Sequence, residues 1–368
     1  MISIPVLNRI VAHLDLDYFY AQVEEVEDAS LKDTPVLVCV FSGRTEESGV
    51  VSTSNYKARE YGIKSGMPIA LAKRRLNGIQ ASFIRMDHGK YEMYSDRVME
   101  VLRGEVDVLE QAGIDEAFFD VTKRAAGDYD VAAASALQLK TKILREEKLT
   151  CSIGIGPNKV VAKIASDFKK PNGLTVVRID QALAFLSPMS IDRIYGVGPK
   201  TTKLLEENGI ATIHELASAT TERLEDLFGK KLAVYLHNAS NGTDDELVID
   251  RGGVSQLSRM ITLKHDTDDS GQIVAELLPA IRDVHEKLVS KSLFFRNVSA
   301  IGILKDLSIH TRSKTLETPT NDYSVLEKEV RELLPALLHG VGDLRRVGVR
   351  ISDFQDMMDQ RSLTEFTS

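Results

Sequence analysis

The chain has 368 residues, 43% of them apolar and 27% charged, with a formal net charge of −8. That length exceeds what one hydrophobic core sustains and points to about two to four domains of an ordinary globular protein. No apolar run reaches the ~18 residues of a membrane span, and the acidic total argues against a simple nucleic-acid coat, although a local basic face can still bind DNA.

The N-terminus, MISIPVLNRIVAHLD, has no basic leader region or small-residue cleavage site, and is expected to be a first strand rather than a signal peptide. Cys39 and Cys151 lie inside apolar runs, and no Cys/His cluster has zinc spacing. Small buried hydrophobes in a reducing compartment are expected.

Val11 to Glu25 reads VAHLDLDYFYAQVEE. It opens as a strand with Ala12, Leu14 and Leu16 on one face and His13, Asp15 and Asp17 on the other. Two acids at a strand end, beside Tyr18, Phe19 and Tyr20, read either as caps of the next helix or as a metal site. Leu31 to Phe41 is a buried strand, followed by a turn-rich loop and a short helix from Asn55 to Tyr61 that Gly62 ends. That helix puts Tyr56 and Arg59 on one face. Arg59 there either grips a phosphate or forms a surface ion pair with Glu60 or a neighbour.

After a helix from Tyr91 to Gly104, the stretch Asp107 to Thr122 splits into two strands meeting near Ile114-Asp115-Glu116. Adjacent acids among apolar residues are costly unless a cation neutralises them; an exposed acidic hairpin tip is the other reading. A long helix from Tyr129 to Lys148 leads to a strand, a Gly/Pro turn, a helix from about Asn158 to Phe168, and the break KKPNG. Lys170 precedes Pro171 and so lies in extended chain. Leu174 to Val177 is a further strand. Strands with helices on one face make an α+β domain.

Gly196 and Gly198 bracket a turn before a helix that starts at Pro199 and ends before Gly209. Such a helix start suits a DNA phosphate, although an ordinary helical hairpin has the same pattern. Gly229 ahead of a second helix repeats the unit. A polar linker follows, and then a β-α-β-β-α-β order that resembles a ferredoxin-like layout. In its last strand Val347, Val349 and Ile351 share one face, and Arg346, Gly348 and Arg350 the other. With Arg259 and Lys264 on another strand, these arginines would gather on a DNA face, or simply on a solvated one. The tail carries Gln360, Leu363 and Phe366 at spacing i, i+3, i+6.

In this order and spacing, DLDYFYAQVEE, VSTSNYKAREYGIKSGM, GIDEAFFD, GIGPNKVVAKIASDFKKPNG and YGVGPKT closely resemble the Y-family translesion DNA polymerases, of the DNA polymerase IV type. The resemblance implies an α+β multidomain right hand. A ferredoxin-like palm would hold residues 1–18 and 86–177, and small fingers residues 19–85. A helical thumb with helix-hairpin-helix units would cover 178–243, a linker 244–254, a ferredoxin-like little finger 255–352, and a tail 353–368. It implies two Mg²⁺ ions held by Asp15, Asp115, Glu116 and the Leu16 carbonyl. It implies an incoming triphosphate held by Tyr18, the Phe19 amide, Thr53, Tyr56, Arg59 and Lys170, with Tyr20 as a gate against the ribose 2′-hydroxyl. Gly196, Gly198, Arg259, Arg346 and Arg350 would meet DNA.

Gln360, Leu363 and Phe366 resemble a sliding-clamp-binding peptide, with Thr367 where a second aromatic is usual. Gly113 departs from the family's usual Ser before Ile-Asp-Glu, and Val50 falls where the templating base would be roofed. The expected protein is a cytoplasmic monomer that copies damaged templates with dNTPs and lacks a proofreading exonuclease. The competing readings are a non-catalytic, clamp-recruited DNA-binding protein on the same fold, and a nucleotidyl cyclase.

Overall fold

The structure is a computed structural model and describes residues 8–250 and 252–356. Two compact units emerge. Among the described residues, one gathers 8–39 with 51–67 and 71–250; the other gathers 40–50, 68–70 and 252–356.

The first unit is built on a five-stranded sheet. Strand β1 (Val11–Leu16) leads into α1 (Phe19–Glu27), β2 (Val36–Phe41), β3 (Gly49–Ser54), α2 (Tyr56–Glu60), α3 (Ile69–Arg75), β4 (Ser82–Arg85) and α4 (His88–Glu105). Then come β5 (Val108–Gln111), β6 (Glu116–Asp120), α5 (Tyr129–Glu147), β7 (Cys151–Gly156), α6 (Lys159–Phe168) and β8 (Leu174–Val176). The strand order β5-β6-β1-β7-β8 makes β1 the central strand, antiparallel to both β6 and β7. The alternation read from the sequence is the reason: Ala12, Leu14 and Leu16 are all buried, in one cluster with Tyr91, Val98 and Leu102 of α4 and Leu139 and Ile143 of α5. A smaller sheet has the order β3-β2-β4.

The other face of β1 is covered by α6, and glycine makes that close crossing possible. A Cβ at Gly154 would lie 2.1 Å from the Ala162 carbonyl oxygen and 2.2 Å from the Ser166 nitrogen. Asn158 caps α6, its Oδ1 accepting from the Val161 N–H at 3.0 Å.

Short helices α7 (Ala182–Leu186), α8 (Pro199–Glu207), α9 (Ile213–Ser218), α10 (Thr221–Phe228) and α11 (Lys230–Ser240) form the helical part that follows. Gly196 (φ +85°) makes the turn, Gly198 caps α8, and Gly229 (φ +74°) opens α11, as the repeated glycine pattern predicts. Beyond it the polar linker is fastened down. Lys159 Nζ bonds Glu110 at 2.6 Å and Glu246 at 3.0 Å, the Ile249 N–H donates to Glu110, and Val248 is buried with Val11 and Ala162.

The second unit follows the order β9 (Gln256–Thr267), α12 (Ser270–Ser290), β10 (Leu293–Leu304), β11 (Ile309–Thr320), α13 (Tyr323–Leu338) and β12 (Leu344–Asp356). This is the β-α-β-β-α-β layout, with strand order β11-β10-β12-β9 and both helices packed over Val347, Val349 and Ile351.

Candidate active site

Asp15 and Glu116 are register partners across the β1–β6 ladder, and Asp15 is also the partner of Ser152 across β1–β7. Opposed residues of an antiparallel pair share a face, so both carboxylates emerge on the α6 side of the sheet. Asp115 lies in the β5–β6 turn, its carbonyl accepting from the Leu16 N–H at 2.9 Å. The hairpin that was expected to bring two adjacent acids to one place exists, and it meets the end of β1.

A cavity of about 510 Å³ opens beside these acids. Asp15, Leu16, Asp115, Tyr18, Phe19, Thr53, Tyr56, Arg59 and Lys170 all line it, together with Ser52, Ser54, Ile63, Lys64 and Ser65. Tyr18 ends β1's turn in a left-handed conformation (φ 37°), so Phe19 starts α1 where helical N–H groups have no partner within the helix. The helix-cap reading of Asp15 and Asp17 is overturned, because Tyr18 is the N-cap and no side chain caps α1. Arg59 stacks over the Tyr56 ring at 4.7 Å and donates from Nε to the Ser54 carbonyl at 3.0 Å, so its surface pairing with Glu60 is also overturned; Lys57 approaches Glu60 instead, at 3.8 Å.

Lysines hold the acids. Lys170 Nζ lies 2.6 Å from Asp15 and 2.7 Å from Asp167; Lys163 Nζ lies 2.5 Å from Glu116. Burial pushes the Asp15 carboxyl up to about 6, against the pull of Lys170 and with the push of Asp115. Burial and the neighbouring Glu116 raise Asp115 as well. Glu116 is drawn down to about 2 by its hydrogen bond with His13 and by Lys163, against burial. His13 is itself held below its usual value by burial, so its 3.4 Å approach to Glu116 is a hydrogen bond of a neutral ring rather than a full ion pair. Its Nδ1 lies 2.8 Å from Ser166 Oγ.

The three acids are therefore neighbours without forming a finished ligand set. Among the described residues no three His, Cys, Asp or Glu side chains make a metal-holding group, and Glu116 is turned to Lys163 and His13 rather than into the cavity. The donors themselves suit a hard divalent cation, being carboxylates and a backbone carbonyl. Asp15 and Asp115 are raised by burial and by neighbouring acids, a cost that cations relieve; Lys170 sits as a cation on Asp15, and Lys163 on Glu116.

Tyr20 is not among the residues lining the cavity. Its ring stacks on that of Tyr91 at 4.3 Å and 19°, and Tyr91 donates its hydroxyl to Glu24. Lys163 and His13 were missed in the sequence, although Lys159, Lys163 and Asp167 at spacing i, i+4, i+8 on α6 carried a signal.

In the second unit Arg346 and Arg350 lie opposite Thr262 and Ser258, on the face away from Val347 and Val349. Arg259 does not join them. It opposes Val349, stands on the helix side of the sheet and approaches Asp283 of α12 at 3.5 Å. Leu257, Ile261 and Leu263 share the period-2 face of Arg259, opposite Ser258, Thr262 and Lys264, and that period assigns Arg259 to the helix side. The clamp-like residues Gln360, Leu363 and Phe366 lie outside the described residues.

Family models match most of the chain. The impB/mucB/samB family model covers residues 14–167, its C-terminal domain covers 254–364, and a thumb-domain model described for DNA polymerase-iota covers 192–244. The chain belongs to the impB/mucB/samB family of Y-family DNA polymerases. It is 42% identical to the DNA polymerase IV of Nitrosopumilus maritimus over 98% of this chain and 99% of that one. It is likewise 42% identical to that of Methanosarcina acetivorans, over 98% and 100%. A Y-family chimera of Dbh and Dpo4 superposes with a TM-score of 0.85 at 36% identity, covering 94% of this chain and 99% of the chimera. The insertion ternary complex of Dbh DNA polymerase gives 0.71 at 35%, over 94% and 99%. The enzyme is a DNA-directed DNA polymerase.

Proposed function

We propose that the chain extends a primer 3′-hydroxyl on a template with dNTPs, tolerates damaged template bases, and has no proofreading activity. The observation that carries this reading is the register pairing of Asp15 with Glu116 beside a cavity that also holds Asp115, Thr53, Tyr56, Arg59 and Lys170. Asp15, Asp115, Glu116 and the Leu16 carbonyl would hold two Mg²⁺ ions. When bound, such a pair activates the 3′-hydroxyl and neutralises the departing pyrophosphate.

The chain's own residues do the positioning. Arg59, fixed by Tyr56 and the Ser54 carbonyl, offers a guanidinium to phosphate oxygens. Lys170 offers a charge that leaves Asp15 when the triphosphate enters. Tyr18, Thr53, Tyr56 and the Phe19 amide complete the grip. Tyr20, backed by Tyr91, would meet the sugar as the steric gate. Primer–template DNA would lie on the Gly196–Gly198 turn and, separately, on the Arg346 and Arg350 face; Arg259 is left out of that face.

In this reading the palm is 1–18 and 86–177, the fingers 19–85, the thumb 178–243 and the little finger 255–352. The chain acts as a cytoplasmic monomer, with Gln360, Leu363 and Phe366 reaching a sliding clamp. Gel-based primer extension on undamaged and lesion-bearing templates, with Mg²⁺ and with chelator, tests it. Extension that stops in chelator and passes the lesion in Mg²⁺ is expected; no extension on either template in Mg²⁺ overturns it.

A further inference from the structure

Asp17 is the second acid of the opening strand, and the cavity makes no use of it. It is fully buried. Three donors converge on its carboxyl group: Ser152 Oγ at 2.7 Å on Oδ1, and Thr150 Oγ1 at 2.9 Å and the Asn172 N–H at 2.8 Å on Oδ2. Ser152 lies on β7, and Thr150 immediately precedes that strand. The third comes from the loop after α6, two residues beyond Lys170.

That loop is tied down at further points on the same side. Ser152 Oγ also accepts from the Gly173 N–H at 3.1 Å. Lys140 reaches in from α5, its Nζ donating to the Cys151 and Gly173 carbonyls at 2.6 and 2.9 Å. The Ile153 N–H bonds the Gly173 carbonyl at 3.0 Å. Asn172 is held at φ +53°, and a Cβ at Gly173 would stand 2.2 Å from the Lys169 carbonyl, so the loop has one narrow path. Lys170 leaves that path toward the cavity and ends on Asp15.

We propose that Asp17 is a positioning residue for the incoming triphosphate. Its buried carboxyl group joins the end of β1 to the 170–173 loop, and so fixes where the Lys170 ammonium enters the cavity. Asp17 touches no reacting atom. It has no exposed surface to offer a cation, and its oxygens are taken up by hydroxyl and amide donors. The inference rests on reading Lys170 as a triphosphate contact.

Single-turnover insertion separates dNTP affinity from the insertion rate, and is paired with primer–template affinity and thermal unfolding. Asp17→Asn keeps the shape but sets an amide N–H against one of the donors. It is expected to weaken dNTP binding on the order of 10- to 100-fold, as a misplacement near 1 Å does, and to leave primer–template affinity within roughly twofold. In a double-mutant cycle, Lys170→Ala is expected to cost far less in the Asp17→Asn background than in the wild-type chain, because the lysine has already lost its place. Ser152→Ala, which removes one donor and the Gly173 link at little steric cost, should move dNTP affinity in the same direction by a smaller factor, and carries the test if Asp17→Asn does not fold.

Equal costs of Lys170→Ala in both backgrounds, or parallel losses of primer–template affinity and melting temperature with dNTP affinity intact, overturn the proposal. Lys170→Ala alone with unchanged dNTP affinity overturns the reading of Lys170 itself, and the proposal falls with it.

Discussion

Lys170 Nζ lies 2.6 Å from Asp15 Oδ1, and burial still holds the Asp15 carboxyl at about 6. The folded chain therefore takes up a proton on this acid at a higher pH than the unfolded chain does. Its contribution to stability is present below the ordinary value of 3.8 and is lost as pH rises through about 6. Asp15→Asn is expected to abolish primer extension and yet, without divalent cation, to unfold at a higher temperature than the wild-type chain at pH 7.5. The gain is about 1–3 kcal/mol and fades as the buffer is taken below pH 4. Calorimetry across that range checks it.

Glu116 carries the opposite sign. Held near 2, it stabilises the fold above its ordinary 4.5, and that contribution is lost as pH falls toward 2. Glu116→Gln should also stop extension, by on the order of 10³-fold or more, but it should lower stability at neutral pH. The loss is expected at about 1 kcal/mol, since the site is partly open to solvent. Denaturant unfolding of the two variants side by side would show opposite shifts in midpoint.

Tyr20 is stacked flat on Tyr91, so removing its ring opens space without disturbing Asp15. Tyr20→Ala is expected to raise ribonucleotide incorporation relative to deoxynucleotide by roughly 10- to 200-fold. Competitive incorporation on one template measures it, and an unchanged ratio removes the gate role.

Gly154 sits under α6 with no room for a methyl group. Gly154→Ala must push α6 outward and carry Lys163 away from Glu116. Its cost should reach or pass the upper end of the ~1–3 kcal/mol of ordinary overpacking. Thermal unfolding reads the cost, and a variant that melts like the wild-type chain would show that the crossing is looser than described.

The central strand, the acidic hairpin, the glycine turns and the final ferredoxin-like order were legible because each is written in local periodicity or turn chemistry. What escaped was decided by distant partners. Strand β3 reads GVVSTS, too polar and too close to a turn-rich stretch to stand out, and it is a strand because β2 lies beside it. Helix α3 is only seven residues long, too short for its period to stand out in the sequence. Asp17 looked like a twin of Asp15 because both share a face of the strand. Only the approach of Thr150, Ser152 and Asn172 separates a structural acid from a cavity acid. Lys163 shows a helical-face pattern with Lys159 and Asp167, but nothing near it in the chain names Glu116 as its partner.

Strand β1 has a hydrogen-bonded neighbour along each flank. Amides so enclosed exchange with solvent deuterium only when the domain as a whole comes apart. Asp15, the acid proposed to hold the metal, thus hangs from the last piece of backbone to loosen on warming, and its alignment survives the lesser fluctuations of the loops around it.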